Sequence, residues 1–218
     1  MLTQETRDAY CTLLHRELIP ATGCTEPIAI AYAAALMRKT LGKRPERMQV
    51  CVSGNIIKNA KSVVVPGTGG KKGIAAAAAA GAVAGQSDRL LEVINAITPD
   101  QREEIERYLK TAQITVSCIE DGLALDIRIT GYEGNDSAFV RIAGAHTNVV
   151  RVERNGEVLL DEPIAQAGHE DAAPSVLNTA DIVAFADSVD LDLVRAPLMR
   201  QLAYNVAIAE YGLSQGCG

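Results

Sequence analysis

Tryptophan is absent from these 218 residues and phenylalanine occurs only twice, which argues against aromatic stacking as the main way of holding a ligand. Basic charge is also scarce. With 21 Lys and Arg against 27 Asp and Glu, the formal net charge is −6, and no basic stripe is present, so nucleic acid is set aside as a partner. Long apolar runs are missing: the longest are alanine-rich and fall short of a membrane span, so no membrane partner is expected. The opening "MLTQETRDAYCTLL" carries charge early and has no apolar signal core. The five cysteines (Cys11, Cys24, Cys51, Cys118 and Cys217) are odd in number and form no CxxC pair. They make no disulfide ladder, and a reducing cytoplasm is the expected compartment.

What is present is alternating structure. Helical spacing of Tyr10, Leu13, Leu14 and Leu18 predicts a helix over residues 3–18, stopped by Pro20. A second helix is predicted from about Glu26 to Thr40, with Thr25 as N-cap and Pro27 in the first turn. "RMQVCVS" (47–53) and "KSVVVPG" (61–67) read as strands. "GIAAAAAAGAVAGQ" (73–86) reads as a helix whose small residues let neighbours approach closely, and residues 98–112 open with an N-cap and acids. From 113 to about 163 the β-branched runs broken by Gly, Asn and Asp read as an antiparallel meander. "HEDAAPS" is a polar joint, and helix returns afterwards, with Pro197 a kink or break in the last one. The expected class is α+β, an antiparallel meander packed with Ala-rich helices and ending in a long helical segment.

Three segments can carry chemistry. Cys24, in "ATGCTEP", stands at a helix mouth, where the dipole and unpaired N–H groups favour thiolate; a small buried residue at a tight turn is the equal alternative. Glu26, beside it, reads as an acid complementing the dipole, and its charge opposes thiolate formation. The turn Gly67-Thr68-Gly69-Gly70 can converge N–H groups on a carboxylate or phosphate, or serve only as a flexible turn. It matches neither GxGxxG nor a GK[ST] ending. Asn55, Lys58 and Asn59 could hold the charged ends of an amino acid, although a solvated loop explains them locally. His146 precedes Thr147-Asn148 at a strand junction and has the pKa range for acid–base work. His15 reads as helix trim and His169 as solvated.

Taken together and in this order, "ATGCTEPIAIAYAAA", "SGNIIKNAKSVVVPGTGGKKGI" and "GAHTNVVRVE" resemble the N-terminal half of the L-cysteine desulfidase family, which is related to the iron–sulfur L-serine dehydratase α chain. The resemblance covers most of residues 15–155. It implies a lyase converting L-cysteine (or L-serine) to pyruvate, ammonia and sulfide (or water) with a [4Fe–4S] cluster. Cys24 is then a metal ligand or an acid–base thiol, and His146 a second catalytic group. Thr25, Asn55, Lys58, Asn59, Gly67, Thr68, Gly69, Gly70 and Asn148 line the substrate site. Family members run to about twice this length and carry the other cluster cysteines in the missing half, so this chain by itself is expected neither to hold the cluster nor to be active. The expected organisation is an α+β domain over 1–165 and a helical segment over 175–218 leading into a C-terminal helical half, the expected partner; a homo-oligomer is compatible with this. The alternative is a small amino-acid-binding or regulatory domain without catalysis.

Overall fold

A computed structural model describes residues 2–120, 122–164 and 177–216. His169, Cys217 and the "HEDAAPS" joint lie outside them. By their contacts the residues fall into two compact units, Ala21–Ala167 and the pair of segments Met1–Pro20 and Gly168–Gly218. The class is α+β, ending in a long helix. Among the described residues no helix is long and apolar enough to cross a membrane.

The larger unit is built around helix α2 (Thr25–Leu41). Its alanines Ala29, Ala31, Ala33, Ala34 and Ala35 are fully buried, because the helix lies between a sheet on one side and helix α4 (Gly73–Ala84) on the other. Small residues allow that approach. A Cβ at Gly81 would fall on the Ala31 carbonyl oxygen, one at Gly85 on the Ala35 side chain, and one at Gly131 on Met37. At its end α2 stops on Gly42 in the left-handed region, φ 83°. Arg38 donates to the Ala82, Val83 and Gly85 carbonyls (3.2, 2.8 and 2.6 Å), satisfying acceptors that the end of α4 leaves free. Helix α5 (Pro99–Thr111) starts on the expected N-cap, Thr98, which forms a capping box with Gln101.

The sheet contains β1 (Arg47–Ser53), β2 (Gln113–Ile119), β3 (Asp126–Glu133), β4 (Asp136–Ala143), β5 (Val149–Arg154) and β6 (Glu157–Asp161), in the order β2-β1-β3-β4-β5-β6. Strands β3 to β6 form the expected antiparallel meander. Strand β2 departs from it: it is an edge strand parallel to β1, with Arg47 opposite Gln113. The intervening helices explain this, since a parallel neighbour needs a crossover rather than a tight turn. Val50, Val52, Ile127, Ile129, Val140 and Ile142 are buried under the helices. Residues of the other parity, among them Gln49, Arg128, Thr130, Arg141 and Arg151, point to the opposite face.

Two further expectations are corrected. "KSVVVPG" is not a strand: only an isolated bridge joins Val64 to Lys72, because Pro66 has no N–H and Gly67 turns away at φ 74°. Asn55, Lys58 and Asn59 do not lie in a loop but on a short helix, α3 (Gly54–Ala60).

The smaller unit holds α1 (Gln4–Glu17), α6 (Thr179–Ser188) and α7 (Leu191–Gln215). The sequence groups α1 with the sheet, whereas in the structure its apolar face meets α6 and α7. Tyr10 packs edge-on against Phe185 with centroids 5.3 Å apart, and Val194 joins them. Pro197 was a predicted kink or break, yet α7 is one helix across it. The proline lacks the N–H that would reach Leu193 four residues back. The His15 ring, through Nε2, bonds that carbonyl instead at 3.0 Å.

Candidate functional site

The mouth of α2 is set by Gly23, whose φ of 92° turns the chain into the helix and whose Cα lies beside the Pro66 ring. The N-cap is Cys24, not Thr25. Cys24 makes no side-chain cap bond; its thiol donates instead to Glu26 Oε2 at 3.1 Å. The Thr25 hydroxyl donates to the same oxygen at 3.3 Å, and Asn59 Nδ2 reaches the other carboxylate oxygen at 3.1 Å from α3. Glu26 is thus the centre of the cluster. In the sequence it looked like an ordinary first-turn acid, because its partner Asn59 is 33 residues away.

The electrostatics follow from this geometry. Partial burial pushes the Glu26 carboxyl up, but donation from Cys24, from its own backbone N–H and from Asn59, with a smaller electrostatic contribution from His146, outweighs burial and holds it below the usual range. The Cys24 thiol is pushed up, first by burial, then by its bond to Glu26 and by the Glu26 charge, against a lowering by the Glu26 N–H. The helix mouth therefore holds a protonated thiol against an ionised carboxylate, the reverse of a dipole-activated thiolate. Glu26→Gln removes both the charge and the strong acceptor. It should raise the rate at which iodoacetamide alkylates Cys24 near neutral pH, followed on the Cys24 peptide by mass spectrometry; an unchanged rate would mean that the carboxylate does not govern the thiol.

His146 sits in the β4–β5 turn, where its Nε2 is buried and, among the described residues, meets no hydrogen-bond partner. The turn is closed by Asn148, which donates through Nδ2 to the Ala143 carbonyl (2.9 Å) and through its N–H to Ala145 (3.2 Å). Asn148 therefore shapes the turn that presents His146. The Pro66–Gly70 loop begins beside Gly23 and is closed in a similar way. Thr68 is 1% exposed, its hydroxyl donating to Val65 O at 2.7 Å. It is turned into the protein, while Gly67, Gly69 and Gly70, at φ 74°, 71° and 86°, remain exposed. Arg102 donates to the Gly67 carbonyl at 3.1 Å and steadies the loop. Asn55 lies one turn before Asn59 on α3; it and Lys58 are exposed.

The structure thus joins Cys24, Thr25, Glu26 and Asn59 by hydrogen bonds, and His146 acts electrostatically on Glu26. Cys11, Cys51 and Cys118 are on α1, β1 and β2. Among the described residues no group of three or more His, Cys, Asp or Glu could hold a metal ion. Cys24 can offer one thiolate, and a cuboidal iron–sulfur cluster draws on several, so these residues alone do not complete a cluster site.

No family model matches the chain, and no solved structure does. It is 43% identical over 210 residues to a UPF0597 protein of Desulfitobacterium hafniense, covering 96% of this chain and 49% of that protein. A UPF0597 protein of Treponema denticola is 39% identical over 219 residues, covering 100% and 51%. One of Lachnoclostridium phytofermentans is 42% identical over 206 residues, covering 94% and 49%. The chain is similar along nearly all its length to UPF0597 proteins, and it spans about half the length of the curated relatives it matches.

Proposed function

We propose that this chain is the amino-acid-binding part of a lyase that eliminates sulfide from L-cysteine, or water from L-serine, to give pyruvate and ammonia. The observation that carries the reading is the meeting of Cys24, Glu26 and Asn59 at the mouth of α2, with His146, whose buried Nε2 meets no hydrogen-bond partner among the described residues, acting electrostatically on Glu26. It is supported by the resemblance of the Cys24, Gly67–Gly70 and His146 segments to the cysteine desulfidases.

The elimination removes a proton from Cα and the thiolate or hydroxide from Cβ, leaving aminoacrylate. This tautomerises to the imine, and water then releases ammonia and pyruvate. His146 accepts the Cα proton at Nε2. Asn59 and the exposed N–H groups of the Gly67–Gly70 turn hold the substrate's carboxylate. Glu26 stays ionised and takes up the substrate ammonium, keeping Cys24 protonated until the site is loaded. The [4Fe–4S] cluster implied by the resemblance would draw its remaining ligands from outside this chain.

The test is anaerobic iron–sulfur reconstitution of the chain, alone and together with the part of the Desulfitobacterium relative outside the matched region, with iron content and sulfide release from L-cysteine followed together. The expected result is cluster and sulfide in the mixture, both lost with Cys24→Ala, and sulfide release reduced at least about 100-fold with His146→Ala. A mixture that stays free of iron while the chain alone binds an amino acid stoichiometrically overturns the lyase in favour of a binding or regulatory domain.

A further inference from the structure

Helix α7 changes character halfway along. In its first two turns one side is anchored, with Val194 1% exposed and Pro197 buried, while Leu191 and Leu193 face outward. From Met199 to Gly216 every residue except Gly212 is exposed, a length of about 25 Å of helix. This stretch is not a solvated surface helix, since Arg200 and Glu210 are its only charged residues. Ile208 is 70% and Leu213 85% exposed. Exposed apolar surface on this scale marks a contact.

The pattern also says what kind of contact. Met199, Leu202, Val206 and Leu213, with Ala209 between the last two, repeat at steps of three and four and form one seam. Tyr204, Ile208 and Tyr211 form a second apolar face on the other side of the helix, set off by Gln201 and Asn205 and by Arg200 and Glu210. A second copy pairing along the first seam would leave the tyrosine face in water. A helix apolar on both sides belongs inside a helical layer, and this one does not have the length of apolar sequence to span a membrane. The relatives that match nearly the whole of this chain are about twice as long, so a polypeptide of about this size accompanies this fold in them.

We infer that residues 199–213 of α7 form a central helix of a layer completed by the part of the relatives that this chain does not span, covered on both faces. The inference rests on the two-part reading above only for the existence of that second part. It is therefore tested without substrate or iron. The chain is co-expressed with the tagged remainder of the Desulfitobacterium relative, and the products are read by light scattering and by hydrogen exchange along α7. The expected result is a one-to-one complex with the amides of residues 199–213 protected. The pair Leu202→Glu with Val206→Glu should weaken it at least about 100-fold, and so should Ile208→Glu with Tyr211→Glu. Circular dichroism of the free variants checks that each still folds. Absence of a complex overturns the inference. So does a complex that survives either pair of substitutions, or a homodimer of this chain that protects α7 by itself. A complex that forms but never acquires a cluster or releases sulfide leaves this surface in place and removes the lyase.

Discussion

Asp126→Ala is expected to lower the stability of the protein by about 3 kcal/mol, read from urea denaturation. The cause is a row of like charges written across the sheet. The register sets Arg128 directly opposite Arg141, and Arg141 directly opposite Arg151, an arrangement that is destabilising by itself. Asp126 is 0% exposed and takes two bonds from each of the first two arginines: from Nε and a terminal nitrogen of Arg128 at 3.2 and 2.8 Å, and from those of Arg141 at 3.1 and 2.8 Å. Arg151 has its own partners in Glu153 and Asp161. Removing the carboxylate leaves two facing guanidinium groups uncompensated. Because both arginines keep some contact with water, the cost belongs at the lower end of the range for broken buried pairs. Burial pushes the Asp126 carboxyl up, but the arginine bonds and charges outweigh it and hold it below its ordinary 3.8. The contribution is therefore fully present above 3.8 and is lost as pH falls through the depressed folded value. The gap between wild type and variant should stay constant from neutrality down to about pH 4 and close below that; a gap that persists in stronger acid would assign the loss to packing instead. Asp126 also pairs with Ala143, at the base of the turn carrying His146, so the variant should loosen the site as well.

Gly81→Ala should destabilise by about 2 kcal/mol, although alanine is the better helix former by about 1 kcal/mol. A Cβ at this position meets the carbonyl oxygen, carbonyl carbon and Cα of Ala31, all backbone, so no side chain can rotate away. Helices α2 and α4 must separate, and every alanine contact between them loosens with them. Gly54→Ala is the matched comparison. It too lies in a helix, at the start of α3, but its Cβ would meet nothing within 4 Å. That substitution should stabilise by about 0.5 kcal/mol, chiefly by restricting the unfolded chain. Thermal melts of the two variants decide the matter: shifts of opposite sign are expected, and shifts of the same sign would mean that helix propensity outweighs the α2–α4 contact.

Much of this protein was legible along the chain. Apolar periodicity marked α1, a cap and a first-turn proline marked α2, a run of small residues marked α4, a cap and first-turn acids marked α5, and β-branched runs broken by Gly, Asn and Asp marked β3 to β6. An N-cap followed by acids showed where α5 begins, and a cysteine between Gly23 and a helix start identified the mouth of α2. These signals act over a few residues, through backbone dihedrals, caps and the alternation of side chains, so composition and spacing were enough to determine them. The position of β2 beside β1, the His15 bond that carries α7 across Pro197, the inward turn of Thr68, the Asn59 bond to Glu26 and the electrostatic effect of His146 on that carboxylate were decided only by the tertiary structure. Each depends on a partner brought close by packing rather than by its place along the chain, or, for Thr68, on which side of its loop the core lies. Whether a polar group is satisfied, and whether a carboxylate is ionised, depends on neighbours in space, and those neighbours exist only once α2 is wedged between α4 and the sheet.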